Sequence, residues 1–146
     1  MALAVTSAAS CGPRVGTEDP IEKEQPPECP AEEPYPLECQ SAYRELCESK
    51  MTEQDCAATP SLWGGVSLYC WWVTPVSVVQ EAGECVASDA PARCVALATP
   101  GDIACGPHHA PQVEGSGALL LTGECYPVGW EECGTADGPP ECACLL

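Results

Sequence analysis

Two adjacent histidines, thirteen cysteines and twenty-two carboxylates are the groups of this chain able to do chemistry. His108 and His109 lie between Pro107 and Pro111, and the prolines predict a loop. Neighbouring imidazoles in a loop can ligate a metal ion, with Asp102 or a free Cys105 completing the set. A solvated loop is the plainer reading, so no metal site is assigned. Ser67 sits in Gly65-Val66-Ser67-Leu68-Tyr69, which lacks the second glycine of a nucleophile elbow. Neither a Gly-rich phosphate loop nor a calcium-loop spacing occurs. The carboxylates crowd into a proline-rich stretch, where nothing desolvates them and raises a pKa. A catalytic cysteine needs a free thiolate and a base. Cysteines this numerous point to oxidised pairs instead, so no catalytic residue and no cofactor follows.

Cysteine makes up about 9% of the chain, the level at which a short sequence reads as a disulfide scaffold. Cys29, Cys39, Cys47, Cys56, Cys70, Cys85, Cys94, Cys105, Cys125, Cys133, Cys142 and Cys144 contain no Cys-x-x-Cys pair, and gaps of seven to fourteen residues recur between them. Structural zinc uses tight pairs, so disulfides are expected, and with them an oxidising compartment. Twelve cysteines allow roughly ten thousand pairings, which leaves the connectivity open. Cys142-Ala143-Cys144 places its two thiols on opposite sides of an extended stretch, which predicts different partners. The spacing Cys-x8-Cys occurs at 47–56, 85–94 and 133–142, but the intervening residues do not match, so it is read as coincidence.

The formal charge of −17 sets 22 acids against five Lys and Arg residues. Nucleic-acid binding needs clustered cations to neutralise phosphates, and this composition excludes it. It equally lacks a polybasic membrane patch. The bulk of the charge reads as solubility.

The element expected to organise the rest is Val66-Ser67-Leu68-Tyr69-Cys70-Trp71-Trp72-Val73-Thr74, the densest β-branched and aromatic run, bounded by Gly64-Gly65 and Pro75. As a central strand it puts Leu68, Cys70 and Trp72 on one face and Tyr69, Trp71 and Val73 on the other. Both faces then need cover. Cys70 is expected to bridge to Cys47, Cys56 or a neighbouring strand. Residues 39–58 read as helical, with Cys39, Tyr43, Leu46 and Cys47 on one face and a break near Met51-Thr52. Thr52-Glu53-Gln54-Asp55 resembles a capping box opening a second short helix, which Thr59-Pro60 ends. The two helices form the expected lid. Further on, Pro75 predicts a bulge or an edge, and Glu81-Ala82-Gly83-Glu84 a turn. Ala118-Leu119-Leu120-Leu121 reads as a short buried strand. The fold class expected is α+β: a small disulfide-rich domain in which a short N-terminal helical hairpin packs on an antiparallel β-sheet. Of the four tryptophans, Trp63, Trp71, Trp72 and Trp130, one of the adjacent pair should be left partly exposed, and Trp71 is the candidate contact residue.

Residues 1–10 are uncharged, small and apolar and stop at Cys11, like the remnant of a signal peptide. Ala8-Ala9-Ser10-Cys11 resembles the lipobox of bacterial lipoproteins, in which the cysteine is lipidated. Removing Cys11 to a lipid leaves an even set of twelve. Residues 11–38 read as an acidic, Pro-rich spacer of extended character, and residues 39–146 as the disulfide-rich globular domain. Cys29, if bridged, pins the spacer to that domain.

With Cys70-Trp71-Trp72 and Trp130-Glu131-Glu132-Cys133, the pattern resembles small cysteine-rich lipoproteins and secreted proteins of the bacterial envelope. That resemblance implies a non-enzymatic, lipid-anchored or secreted envelope module, structural or partner-binding. Its partner would be a protein or a glycan, and its membrane contact the lipid on Cys11. Two other classes compete with it. One is a disulfide-stapled protease inhibitor or peptide binder presenting residues 99–117 as a loop. The other is a small metal-dependent hydrolase using His108 or His109.

Overall fold

Helix starts, strand periodicity and cysteine positions in this sequence translate into a layered α+β arrangement, seen in a computed structural model. The structure describes residues 26–29, 36–62, 67–99, 106–112, 115–123, 126–134 and 137–145. Residues 1–25, most of the spacer, residues 63–66 and residues 100–105 lie outside them.

The first helix, α1 (Leu37–Glu48), begins two residues before the expected start and buries Cys39, Tyr43 and Cys47. These are three of the four positions the helical period put on one face. The second, α2 (Glu53–Ala58), is capped as the sequence predicts: the Asp55 N–H donates to Thr52 Oγ1 at 3.1 Å. The substituted residue changes the other half of the box. In place of a Glu reaching the cap's backbone N–H, the shorter Asp55 carboxylate accepts from the Thr52 hydroxyl at 2.7 Å.

The run 66–74 forms β1 (Ser67–Val73), which pairs antiparallel with β4 (Arg93–Thr99). Between them come β2 (Val76–Glu81) and β3 (Glu84–Asp89), joined at Ala82 and Gly83, which both take positive φ (52° and 85°). Two such residues in succession match the twist of a tight hairpin. After β4 come β5 (His108–Pro111), β6 (Ala118–Leu121) and β7 (Glu131–Glu132), and a 3-10 helix Pro140–Leu145 closes the described chain.

Here the sequence reading needs correction. Among the described residues there are two antiparallel sheets, a two-stranded β1-β4 and a five-stranded β3-β2-β6-β5-β7. β1 is thus not the central strand of a single sheet. Pro75, which is buried, marks the corner where the chain leaves one sheet for the other. The middle of the larger sheet is β6, and all four of its residues are buried. Gly117 lets β6 come this close to β2: its φ is +98°, and a Cβ there would collide with the Val78 carbonyl.

The expectation that β1 is covered on both faces does hold. Leu68 and Cys70, with Cys94 and Ala96 of β4, join the buried helix residues Cys39, Tyr43, Cys47 and Cys56, and Trp72 packs against this cluster. On the other face Val73, Val95 and Leu97 meet Leu121 of the larger sheet, with Tyr69 and Trp130 alongside. A third cluster, Val78, Ala118, Leu120, Cys133 and Cys142, lies under Cys144 and Leu145 of the 3-10 helix.

Among the described residues five disulfides connect these layers: Cys29–Cys39, Cys47–Cys70, Cys56–Cys94, Cys85–Cys144 and Cys133–Cys142. Cys29 is therefore bridged, and it pins the end of the spacer to α1. Cys70 has taken Cys47, one of its expected partners. Cys142 and Cys144 go to different partners, as their spacing predicted, although they sit on a 3-10 helix and not on a strand. Of the three Cys-x8-Cys pairs only 133–142 is a bond. Cys11, Cys105 and Cys125 lie outside the described residues.

Candidate functional site

The alternation of β1 sets out the aromatic side chains. Trp72 turns toward the helices, whereas Trp71 turns away and stays 50% exposed. Tyr69, two residues earlier on the same face, meets Trp71 almost at right angles, with ring centroids 6.2 Å apart and an interplanar angle of 84°. Among the described residues the outer edge of β1 is bridged only at Leu68, by Leu62. Beyond that point a cavity of about 550 Å³ runs along the edge, and both faces of the strand contribute to its wall. Tyr69, Trp71 and Trp72 line it with Glu53 from the first turn of α2 and the hydroxyl residues Thr59 and Ser61.

The histidines do not occupy a loop. They lie in β5, between β6 and β7, and are 4% and 8% exposed. Pro107 precedes the strand and Pro111 ends it, positions that tolerate a missing N–H. A strand's period of two then separates the imidazoles. His108 pairs with Leu121 and Glu132, and His109 with Leu120 and Glu131, so each points to the opposite face of the sheet. They cannot chelate one ion together, which removes the geometry that a metal site at His108-His109 requires. His109 Nε2 lies 3.8 Å from Glu131 Oε2, beyond hydrogen-bond reach. Burial lowers the pKa of His108, and His109 adds to this; Glu132 and the Gly106 backbone oppose it. His108 Nδ1 is buried without a hydrogen-bond partner among the described residues. The candidate inhibitory loop 99–117 contains β5, so its described middle is sheet.

Among the described residues sulfur supplies a close grouping of ligand-type atoms. Cys47, Cys70 and Cys94 place their Sγ atoms within 4.8 Å of one another in the buried core. All three are in disulfides and lack the thiolate charge that zinc binding uses. The neighbouring Tyr43 donates its hydroxyl to the Pro60 carbonyl at 2.9 Å. Its pKa is pushed up to about 12 by burial, with the Cys70 backbone opposing, so the phenol stays neutral and structural.

Residue spacing alone thus located Trp71 and Tyr69 on one face of a strand. It did not find Glu53, which comes from another element, or the pairing of Glu131 and Glu132 with the histidines. A strand of two residues has no periodicity to read. No protein-family model matches this sequence, and neither a curated protein nor a solved structure matches it. The chain stands as a small cysteine-rich protein whose ten described cysteines are all bridged. Among the described residues no helix is long and apolar enough to cross a membrane.

Proposed function

We propose that this protein is a non-enzymatic binding module of the bacterial envelope, anchored through a lipid on Cys11 or secreted. The observation that carries the binding role is Trp71, a large apolar side chain half exposed on a strand bridged to α1 through Cys70. Rigid exposed aromatics supply contact area at low entropic cost, which is why they concentrate at binding sites. The bridges support an oxidising, extracytoplasmic compartment. In this reading the two N-terminal helices act together as a lid over the antiparallel strands and hold the contact face still. The Cys29–Cys39 bridge places the base of the spacer at the start of α1, so a spacer running from Cys11 would set the domain away from the membrane surface.

The test is fractionation and capture in a bacterial host. The full-length protein should partition into detergent, and Cys11→Ser should release it into the aqueous phase. Cross-linking on intact cells should recover a partner that Trp71→Ala loses. Equal partitioning of the parent and Cys11→Ser removes the anchor, and equal capture by the parent and Trp71→Ala removes the contact role.

A further inference from the structure

The cavity beside β1 combines aromatic walls with a carboxylate and has no cationic residue among its described lining. That composition discriminates between ligand classes. A phosphate or carboxylate ligand would meet Glu53 and a chain of net charge −17 with nothing to neutralise it. A stacked sugar uses one flat aromatic platform, whereas Tyr69 and Trp71 stand at 84° to each other and form a corner. Tyr69 and Trp71 meet edge to face, and ring face left open beside that contact presents negative quadrupole density that suits a cation. The overall field of the protein also raises the local concentration of cations.

The size of the space selects among cations. About 550 Å³ exceeds what a bare metal ion fills, and Glu53 is the single carboxylate among the described lining, too few charged ligands for a metal site. A primary ammonium is strongly hydrated and would need several oxygen acceptors to replace its water. A quaternary ammonium spreads its charge over methyl groups and donates no hydrogen bond. It gains from ring faces and needs only one counter-charge.

We propose that this cavity binds a quaternary ammonium group of the choline type, with Trp71 and Tyr69 as its walls and Glu53 as its counter-charge. The proposal deepens the binding-module reading and rests on it for Trp71 as the contact residue. Trp72, on the other face of β1, also lines the cavity. Thr59 and Ser61 offer hydroxyls to the alcohol end of the ligand. Because β1 and α2 are each tied into the core, by Cys47–Cys70 and Cys56–Cys94, the walls and the counter-charge are held in place before the ligand arrives.

The test is a titration of the oxidised, full-length protein with choline chloride, followed by tryptophan fluorescence and calorimetry. The neutral isostere 3,3-dimethyl-1-butanol serves as the control. Choline should bind saturably and the isostere at least about tenfold more weakly, since only the cation gains from the ring faces. Trp71→Ala should weaken choline binding about tenfold or more, and Glu53→Gln several-fold, with melting temperatures near the parent's because both side chains are exposed. A phosphocholine arm separates the sources. Binding equal to choline's admits a lipid headgroup, and weaker binding specifies free choline. Equal affinity for the isostere, no saturable choline binding across the millimolar range, or Trp71-dependent binding of a neutral disaccharide instead would each overturn the site. A protein that ignores choline but still loses its captured partner on Trp71→Ala would refute the cation site and leave the binding module standing.

Discussion

The two halves of the molecule use sulfur differently. In the half made of α1, α2, β1 and β4, the sulfurs are the core: Cys39, Cys47, Cys56, Cys70 and Cys94 are five of its eight buried cluster members, beside Tyr43, Leu68 and Ala96. In the five-stranded sheet sulfur is the smaller share: Val78, Ala118 and Leu120 are buried with Cys133 and Cys142. Cys133–Cys142 closes a short loop against β2 and β6, and Cys85–Cys144 ties down β3, all six of whose residues are exposed. A chain poor in large apolar side chains cannot fill two cores with them. Buried disulfides fill most of the cluster under the helices and part of the cluster on the larger sheet.

This contrast has a consequence that loop entropy alone gets backwards. Loop closure across 59 residues should make Cys85–Cys144 worth about 4 kcal/mol, slightly more than the ~3.4 kcal/mol for Cys47–Cys70 across 23. Packing reverses the order. Removing Cys47 and Cys70 also empties volume in a buried cluster, which adds on the order of 1 kcal/mol or more. Removing Cys85 and Cys144 lets β3, which has no buried residue, gain freedom in the native state too, and this offsets part of the loop term. The double variant Cys47→Ala/Cys70→Ala should therefore lose about 4–5 kcal/mol in chemical denaturation and unfold as a whole. Cys85→Ala/Cys144→Ala should lose roughly 2 kcal/mol, with faster amide exchange confined to β3 and the 3-10 helix. The opposite ranking would mean that loop length governs stability and that sulfur is not a core component.

How much of this was readable beforehand divides along the same line. The helix-and-strand half was legible because its signals are local. Cys39, Tyr43 and Cys47 repeat at helical spacing, Thr52 and Asp55 make a cap, and the β-branched, aromatic run of β1 puts Cys70 on the face toward the helices. The five-stranded half was not, apart from the apolar run of β6 and the β2–β3 turn. β5 is four residues long with a proline at each boundary, which looks like a loop until neighbours on both sides supply its hydrogen bonds. Pro75 signalled an interruption, but nothing near it says that the chain changes sheets there. Disulfide partners are non-local by nature, and only Cys70 had a face that narrowed its choice. At the candidate site the aromatic pair followed from the strand period, whereas Glu53 arrives by tertiary packing.

A smaller effect distinguishes the two faces of β1. Trp72 packs on the sulfur-rich cluster while partly exposed, and Trp71 stands half in solvent. Trp72→Ala should cost about 2–3 kcal/mol, below the range for a fully buried tryptophan, and Trp71→Ala within about 0.5 kcal/mol of nothing. Thermal melts of the two variants measure this directly. Equal destabilisation would show that Trp71 belongs to the core, and it would remove the exposed contact on which the binding role depends.

The smallest effect lies where the halves meet. His108 projects from β5 toward the layer containing Ala98 and Tyr126; its ring centroid is 6.0 Å from that of Tyr126, and Glu132 is the charged group paired beside it. Burial lowers its pKa below the ordinary 6.5, so the folded state resists a proton that the unfolded chain accepts. Stability then rises with pH wherever the unfolded state holds more protons. The contribution of a neutral His108 is fully present above pH 6.5 and is lost as pH falls from there through the lowered folded value. The slope is at most about 1.4 kcal/mol per pH unit for a single site. Melting from pH 7.5 to 5.5 should show the parent losing stability relative to His108→Gln, which carries no titrating group there. Below this window the carboxylates of a chain with charge −17 begin to protonate and relieve repulsion, an opposing trend common to both proteins. Parallel curves for the parent and His108→Gln would mean that Glu132 cancels the desolvation of His108. The layer between the two sheets would then be wetter than the sulfur-filled layer on the other side of β1.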